Sequence, residues 1–170
     1  MSAIMLIVAH GDPLPQIHSD GTLPDPALTP GAIRTIDRDA ICNTRTSEIR
    51  NVPNSLKEAV RRRYGMLNKH DKWCSGIAGC EVDHLVCLAC GGSNDISNLF
   101  VQTYDTSVKW NAHVKDQLEN HVHKMICKDN ADIELMQHEM ATNWIEMYKK
   151  YIGPEPVPGR FHSTEPQSND

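Results

Sequence analysis

Residues 81–100 read Glu-Val-Asp-His-Leu-Val-Cys-Leu-Ala-Cys-Gly-Gly-Ser-Asn-Asp-Ile-Ser-Asn-Leu-Phe, and the rest of the chain is organised around them. An alternation of apolar and polar residues carries the pair Asp83-His84. The pair Gly91-Gly92 follows, and Asn98-Leu99 opens a second apolar run. Alternating runs on both sides of a glycine-containing turn are typical of a β-hairpin. The stretch therefore predicts a hairpin over about residues 80–103 that presents a carboxylate and an imidazole side by side.

The composition is ordinary for a protein with one compact domain. The chain has 170 residues, of which 39% are apolar and 23% are charged, and its net charge is −5. This charge argues against a protein that coats nucleic acid nonspecifically, but it does not exclude a local basic face. Residues 43–73 carry eight basic and three acidic side chains, a net charge of +5 directly before the hairpin. No stretch reaches the length of a transmembrane helix, so no membrane partner is expected.

Two proline-rich polar stretches border the folded part. Residues 10–31 contain five prolines and residues 153–170 contain four, which predicts extended, poorly ordered chain. We therefore expect an extended or signal-like segment over residues 1–27, a folded domain over 28–152 and a disordered tail over 153–170. The apolar run at residues 3–9 fits either a strand or disordered start, or a signal peptide that lacks its beginning.

Three amphipathic helices are predicted around the hairpin. One begins near Pro53 and ends at Gly65, with arginines in its last turn. A second covers about residues 111–127 and a third about 131–151, each with one apolar stripe at spacings of three and four. The methionines of the last stripe indicate core packing. The order helix, two strands, helix, helix predicts a small α+β domain.

The polar residues of the hairpin and the next helix suit phosphodiester hydrolysis. This reaction needs an activated water, neutralisation of the phosphate charge and help for the leaving oxygen. A neutral imidazole can serve as the base, and one divalent cation can serve the other two roles. His113, Asp116 and Asn120 share one helix face, which is either solvent-exposed or part of such a site. Oxygen and imidazole ligands suit Mg, Mn, Ni or Zn without choosing among them.

The hairpin resembles the pattern Asp-His-Leu-x-x-Leu-x-x-Gly-Gly-Ser-Asn-Asp-x-x-Asn-Leu of HNH (ββα-metal) endonucleases. Flanking residues resemble one subgroup of small, single-domain bacterial HNH proteins, and the resemblance covers about residues 24–152. They include Asp25 to Gly31, Cys42, Arg50 to Pro53, Lys57, Tyr64-Gly65, Lys115-Asp116, Leu118 to Asn120, Cys127, Gln137 and Trp144-Ile145. The resemblance implies a ββα-metal core of hairpin and helix with flanking helices, and it implies DNA as the substrate.

The resemblance also implies roles for individual residues. His84 matches the general base, Asp83 the metal-ligating acid and Asn98 the asparagine that orients the base. The third motif position, on the helix after the hairpin, is either His113 or Asp116. Phosphate contacts are expected from Lys115, and the arginines of the first helix form either a solvated helix end or part of the same DNA-binding surface (Arg61, Arg62 and Arg63).

The six cysteines leave several states open. Cys42 and Cys127 match positions of the subgroup, and the resemblance implies a disulfide between them, which favours a secreted or periplasmic location over the cytoplasm. Cys87 and Cys90 depart from the pattern. Together with Cys74 and Cys80 they could hold a structural zinc, although only one pair has the Cys-x-x-Cys spacing. A Cys74–Cys80 link or free thiols are the other expectations.

Three functions follow from these observations. The first is a metal-dependent HNH endonuclease that hydrolyses DNA with one divalent cation. The second is a noncatalytic, zinc-stabilised module that binds nucleic acid or protein through a fold held by the four clustered cysteines. The third is a toxin-like or phage-associated nuclease with the same chemistry in another biological role. No groove-reading helix is evident, so little sequence specificity is expected.

Overall fold

The computed structural model describes residues 22–66 and 79–157, which form five helices and one two-stranded antiparallel sheet. The expectation of a mixed helix and strand fold is confirmed at this level. The elements in chain order are α1 (Arg38–Asn43), α2 (Thr46–Ile49), α3 (Asn54–Arg63), β1 (Cys80–His84), β2 (Leu99–Thr103), α4 (Ala112–Lys128) and α5 (Ile133–Tyr151). Short 3-10 turns occupy Leu88–Cys90 and Ile96–Asn98. No helix among these residues is long and apolar enough to cross a membrane.

The hairpin register places two acidic residues on one face. Glu81 lies opposite Gln102, and Asp83 lies opposite Phe100. Residues directly opposite each other in an antiparallel pair point to the same side of the sheet. Helix α4 covers this side, since its Lys115 side chain contacts Asp83 and lies 5.9 Å from the centre of the Phe100 ring. The sheet therefore presents its carboxylates to a helix.

The three longer helices begin and end within two residues of their predicted positions. Their apolar stripes are buried as expected, because each faces the common core. The stripes include Val60 and Tyr64 of α3, Val114, Leu118, Val122 and Ile126 of α4, and Ile133, Met136, Met140, Trp144 and Met147 of α5. Helix α3 begins directly after Pro53, which is its N-cap residue, and no side chain caps it.

The chain before α3 is more ordered than its sequence predicts. Residues 32–52 lack a clear periodicity, yet they contain the short helices α1 and α2. Asp37 caps α1 by accepting a hydrogen bond from the Ala40 amide at 3.1 Å. A disulfide joins Cys42 to Cys127 across 85 residues, with their Cα atoms 5.6 Å apart. This is the pairing that the resemblance implies, and it fastens the N-terminal segment to the end of α4.

Two glycines shape the connection between the strands. Gly91 has φ of +91°, a left-handed conformation that glycine adopts without strain. Gly92 lies so close to the Val86 carbonyl that a Cβ atom would overlap its oxygen. Both positions therefore require glycine, and together they return the chain from β1 towards β2.

Candidate functional site

The end of β1 carries the Asp83-His84 pair and meets the first two turns of α4. The Lys115 ammonium donates to Asp83 Oδ2 at 2.7 Å, to the His84 carbonyl at 2.5 Å and to Glu119 Oε1. Its side chain is 0% exposed, whereas those of Asp83 and Glu119 are 16% and 23% exposed. The expectation that Lys115 contacts phosphate is therefore corrected. All three of its protons have protein acceptors, and it holds the site together from inside.

The carboxylates near this ammonium outnumber it. Burial raises the pKa of Glu81 to about 8, and the Asp83 charge adds to this effect. Burial likewise raises the pKa of Glu119 to about 8, with the Lys115 charge opposing and the Asp83 and Asp116 charges reinforcing. Burial would also raise the pKa of Asp83, but the Lys115 ammonium outweighs it and holds that pKa below its usual value. Glu81, Asp83 and Glu119 form a carboxyl cluster. When all three are ionised, their negative charge exceeds the single positive charge of Lys115.

Asp116 and His113, the two candidates for the third ligand, have different surroundings. The Asp116 charge raises the pKa of both Glu81 and Glu119. The His113 ring instead packs against Tyr104, with ring centres 5.3 Å apart, and burial lowers its pKa. The Tyr104 hydroxyl donates to Glu81 Oε2 at 2.5 Å.

The side chains around Lys115 include the types of donor that bind a divalent cation. Several carboxylates suit a hard cation such as Mg²⁺ or Mn²⁺. The amide of Gln102, opposite Glu81, is fully buried, and neither of its polar atoms has a hydrogen-bond partner within residues 22–66 and 79–157. In the same ranges no three His, Cys, Asp or Glu side chains are arranged around a common ion position. The chemistry of the donors fits a cation, and the Lys115 ammonium lies among them.

Asn98 organises the loop rather than the imidazole. Its side chain is buried, accepts from the Val86 amide at 2.9 Å, and donates to the carbonyls of Val86 at 3.0 Å and Ser93 at 2.9 Å. Its own carbonyl accepts from the Leu85 amide at 2.7 Å. None of these hydrogen bonds is to the His84 ring, so the orienting role that the resemblance implies for Asn98 would act through the loop backbone. Asn98 fixes the backbone that follows His84.

The amide in contact with the His84 ring is that of Asn94. Asn94 Oδ1 lies 3.1 Å from His84 Nε2 and also accepts from the Asn51 backbone amide at 3.2 Å. Asn94 Nδ2 donates to the Ile49 carbonyl at 2.7 Å. The two backbone partners fix which end of the amide is oxygen, and an amide oxygen only accepts. His84 Nε2 must therefore carry a proton, and in the neutral ring Nδ1 is the basic nitrogen.

The surroundings of His84 keep its ring neutral near pH 7. The residue is 2% exposed. Burial lowers its pKa, the Asp83 charge and the Asn94 hydrogen bond raise it, and the charges of Arg50 and Lys115 lower it further. The net pKa lies below the ordinary value, so the proton-accepting form predominates at neutral pH. Such a ring has the protonation state that a general base needs.

The three arginines at the end of α3 divide into different roles. Arg63 donates to the carbonyls of Leu28 at 2.7 Å and Ile96 at 3.3 Å, so its guanidinium holds the N-terminal segment to the loop. Arg62 is exposed and lies 3.7 Å from Glu58 in an exposed ion pair. Arg61 is partly exposed. Of the three, Arg61 and Arg62 remain candidates for phosphate contact, and Arg63 is a structural link.

Cys87 and Cys90 form a disulfide within the loop after His84, with Cα atoms 5.0 Å apart. Both are buried at 0% and 1% exposure. Cys80 is disulfide-bonded as well, and the expected partner Cys74 lies outside the described residues. The free-thiol expectation for Cys87 and Cys90 is therefore corrected, and three of the four cysteines that the zinc site needs, Cys80, Cys87 and Cys90, are in disulfides.

Sequence reasoning gave no role to four residues of this site, which are Arg50, Glu81, Asn94 and Glu119. Glu119 had a detectable signal, because it lies four residues after Lys115 on a helix and this spacing favours an ion pair. Asn94 and Arg50 lie in a loop and at a helix end, where no periodicity marks a position. Only the fold brings them to His84.

Comparison of this chain with protein-family models, with curated proteins and with solved structures found no significant match in any of the three.

Proposed function

We propose that this protein is a metal-dependent HNH-type endonuclease that hydrolyses DNA phosphodiester bonds. One observation carries the proposal. The antiparallel hairpin ends in Asp83-His84 and packs on α4, so that a carboxylate cluster and a neutral imidazole meet at one strand end. The finer fold assignment, a ββα-metal core made of β1, β2 and α4, belongs to the same proposal.

His84 acts as the general base through Nδ1. The hydrogen bond with Asn94 keeps the proton on Nε2, so the lone pair of Nδ1 accepts a proton from the attacking water. Asn98 holds the loop backbone next to His84 by its three side-chain hydrogen bonds, which limits movement of the ring. A base held in this way needs no reorganisation when the water attacks.

Asp83 and Asp116 are the residues that would hold the divalent cation, with Glu119 and Glu81 beside them. A bound cation supplies charge neutralisation on the phosphate and stabilises the leaving oxygen. The carboxylates of Asp83 and Glu119 keep partly exposed edges. Lys115 limits the mutual repulsion of these acids and keeps Asp83 ionised.

The basic region before the hairpin supports binding of a polyanion. Arg61 and Arg62 lie in the last turn of α3, and α3 contacts both strands of the hairpin. Phosphate contacts by such residues make affinity depend on salt and carry no base sequence information. Cutting with little sequence preference is therefore expected.

The test is incubation of supercoiled plasmid with the purified protein and Mg, Mn, Ni or Zn, with an EDTA arm and a His84→Ala control. We expect nicked or linear product with at least one cation, no product with EDTA, and no product from His84→Ala. Circular dichroism of the variant establishes that it is folded. A folded His84→Ala protein that cuts at the wild-type rate would refute the proposal.

The zinc-stabilised binding module has less support. Its four candidate ligands include Cys87 and Cys90, which are paired with each other, and Cys80, which is also in a disulfide. Metal analysis separates the two functions. Stoichiometric zinc that persists in an Asp83→Ala, His84→Ala double variant and is lost from Cys87→Ser would favour the module.

A further inference from the structure

The chain segment Ile49–Asn51 is hydrogen-bonded to the side-chain amide of Asn94, which also contacts the His84 ring. The Ile49 carbonyl accepts from Asn94 Nδ2 at 2.7 Å, and the Asn51 amide donates to Asn94 Oδ1 at 3.2 Å. The residue between these two anchors is Arg50. Its own amide donates to the Thr46 carbonyl at 2.8 Å, so its backbone is also fixed to α2. One asparagine thus sets the position of both the imidazole and the backbone of Arg50.

The backbone on both sides of Arg50 is joined through Asn94 to the His84 ring. Arg50 is exposed. The Arg50 charge is one of the causes that lower the pKa of the His84 imidazole. An arginine presents a planar set of donors that matches two oxygens of a phosphate. An exposed arginine whose backbone is anchored through Asn94 to the His84 ring is therefore suited to contact a phosphodiester that lies against this ring.

Two other cations near the strand end are engaged by protein acceptors. Lys115 donates to Asp83, Glu119 and the His84 carbonyl. Arg63 donates to the carbonyls of Leu28 and Ile96. The phosphate contact that the resemblance implies for Lys115 therefore needs another side chain. Arg50 is exposed, and its backbone is anchored to Asn94.

We propose that Arg50 binds the nonbridging oxygens of the phosphodiester that His84 attacks through water, and that Asn94 is the positioning residue that holds Arg50 and His84 in register. The proposal rests on the proposed nuclease function for the identity of the phosphate. It names a substrate contact that neither the hairpin motif nor the helix arginines supply.

The experiment compares Arg50→Ala, Arg50→Lys and Lys128→Ala with the wild-type protein. Lys128 is exposed in the last turn of α4, 13 residues from Lys115 and therefore about 20 Å along the helix axis. Its replacement removes the same charge far from the site. Binding of a fluorescent 30-base-pair duplex is measured by anisotropy in EDTA at several salt concentrations, and cleavage is measured with the cation that supports the fastest cutting.

We expect Arg50→Ala to reduce the slope of log Kobs against log salt by roughly 0.9, the value for one lost phosphate contact. Its cleavage rate should fall about 100-fold, as for removal of one preorganised donor, and Arg50→Lys should lie between. Lys128→Ala should match the wild type in both measurements. In an Asn94→Ala background the loss caused by Arg50→Ala should shrink, because the arginine is no longer held in place.

The outcomes separate this inference from the nuclease proposal. Equal slopes and rates for Arg50→Ala and Lys128→Ala, with a wild-type protein that cuts and a His84→Ala protein that does not, would overturn the Arg50 inference alone. A reduced slope for Arg50→Ala in a protein that cuts nothing would retain the phosphate contact and overturn the nuclease. Absence of DNA binding by the wild type would overturn both.

Discussion

The end of β1 contacts titratable groups on one side and neutral amides on the other. Towards α4, the Asp83 carboxylate and the Glu119 carboxyl group both bind the ammonium of Lys115. Towards the loop, Asn98 and Asn94 bind backbone groups and the His84 ring. Ion pairs respond to pH and to added cations, whereas amide hydrogen bonds do not. Under the proposed function, a bound cation would change the charges on the α4 side while the base on the loop side keeps its geometry.

Replacing Lys115 with methionine should have the largest effect on stability. The variant leaves the ionised and largely buried Asp83 without its cation, and removal of one partner of a buried ion pair costs about 3–5 kcal/mol. Urea unfolding at pH 7, followed by circular dichroism, measures the loss. Lys124→Met is the matched control, since Lys124 is exposed on the same helix. A loss of stability no greater than that of the control would show that the Lys115 ammonium does not stabilise the contact between β1 and α4.

Asn98→Ala should have the next largest effect. It leaves the Val86 amide and the Val86 and Ser93 carbonyls without their partner in a buried loop, at a cost of about 2–4 kcal/mol. This loss should be the same at pH 6 and pH 9, in contrast to that of Lys115→Met. Asn120→Ala, at an exposed helix position, serves as the control. Strong pH dependence of the Asn98→Ala loss would remove the distinction between the two sides.

The raised pKa of Glu81 predicts a smaller effect that depends on pH. The folded protein holds the Glu81 proton up to about pH 8, while the ordinary value is 4.5. Between these values folding takes up a proton, so the free energy of unfolding falls as pH rises. Glu81→Gln should flatten this fall, and the melting temperatures at pH 6 and pH 9, measured without divalent cation, should move closer together. If the difference between the two melting temperatures is unchanged, a group other than Glu81 causes the pH dependence.

Asn94→Ala should have the smallest effect on stability and a clear effect on the base. Asn94 is only partly buried, so a loss of about 1 kcal/mol is expected. Without Asn94 the proton of the neutral His84 ring is no longer confined to Nε2. Nitrogen-15 spectra of the imidazoles should therefore show Nε2-protonated His84 in the wild type and a mixture of tautomers in Asn94→Ala. A wild-type ring protonated on Nδ1 would contradict the assignment of the base.

The sequence predicts those parts of the fold that repeat regularly. The spacing of Val114, Leu118 and Val122 marks α4 because an apolar stripe recurs every turn. Alternation around Asp83 marks β1 in the same way. Helices α1 and α2 have six and four residues, which is too short for a periodic signal, and α1 is held by the Asp37 cap and by the disulfide at Cys42.

The site is predicted less completely than the fold for a physical reason. The adjacent pair Asp83-His84 carries its chemistry in the residue types themselves. The burial of Lys115 depends on where Asp83 lies relative to α4, and no local pattern contains this information. The contact of Asn94 with Ile49 and Asn51 joins residues more than forty positions apart. The amide that binds the imidazole was therefore assigned to Asn98 from the motif, and the structure assigns it to Asn94.

The most direct test of the central claim is the single-turnover cleavage rate of a defined duplex by the wild type and by His84→Gly, with and without added imidazole. General-base catalysis contributes about 10²–10⁴-fold. We expect His84→Gly to lose at least about 100-fold, and free imidazole to restore part of the rate by occupying the buried space that the side chain leaves. A folded His84→Gly protein that cleaves at the wild-type rate, or one whose lost activity imidazole does not restore at any concentration while the duplex still binds, would contradict His84 as the base.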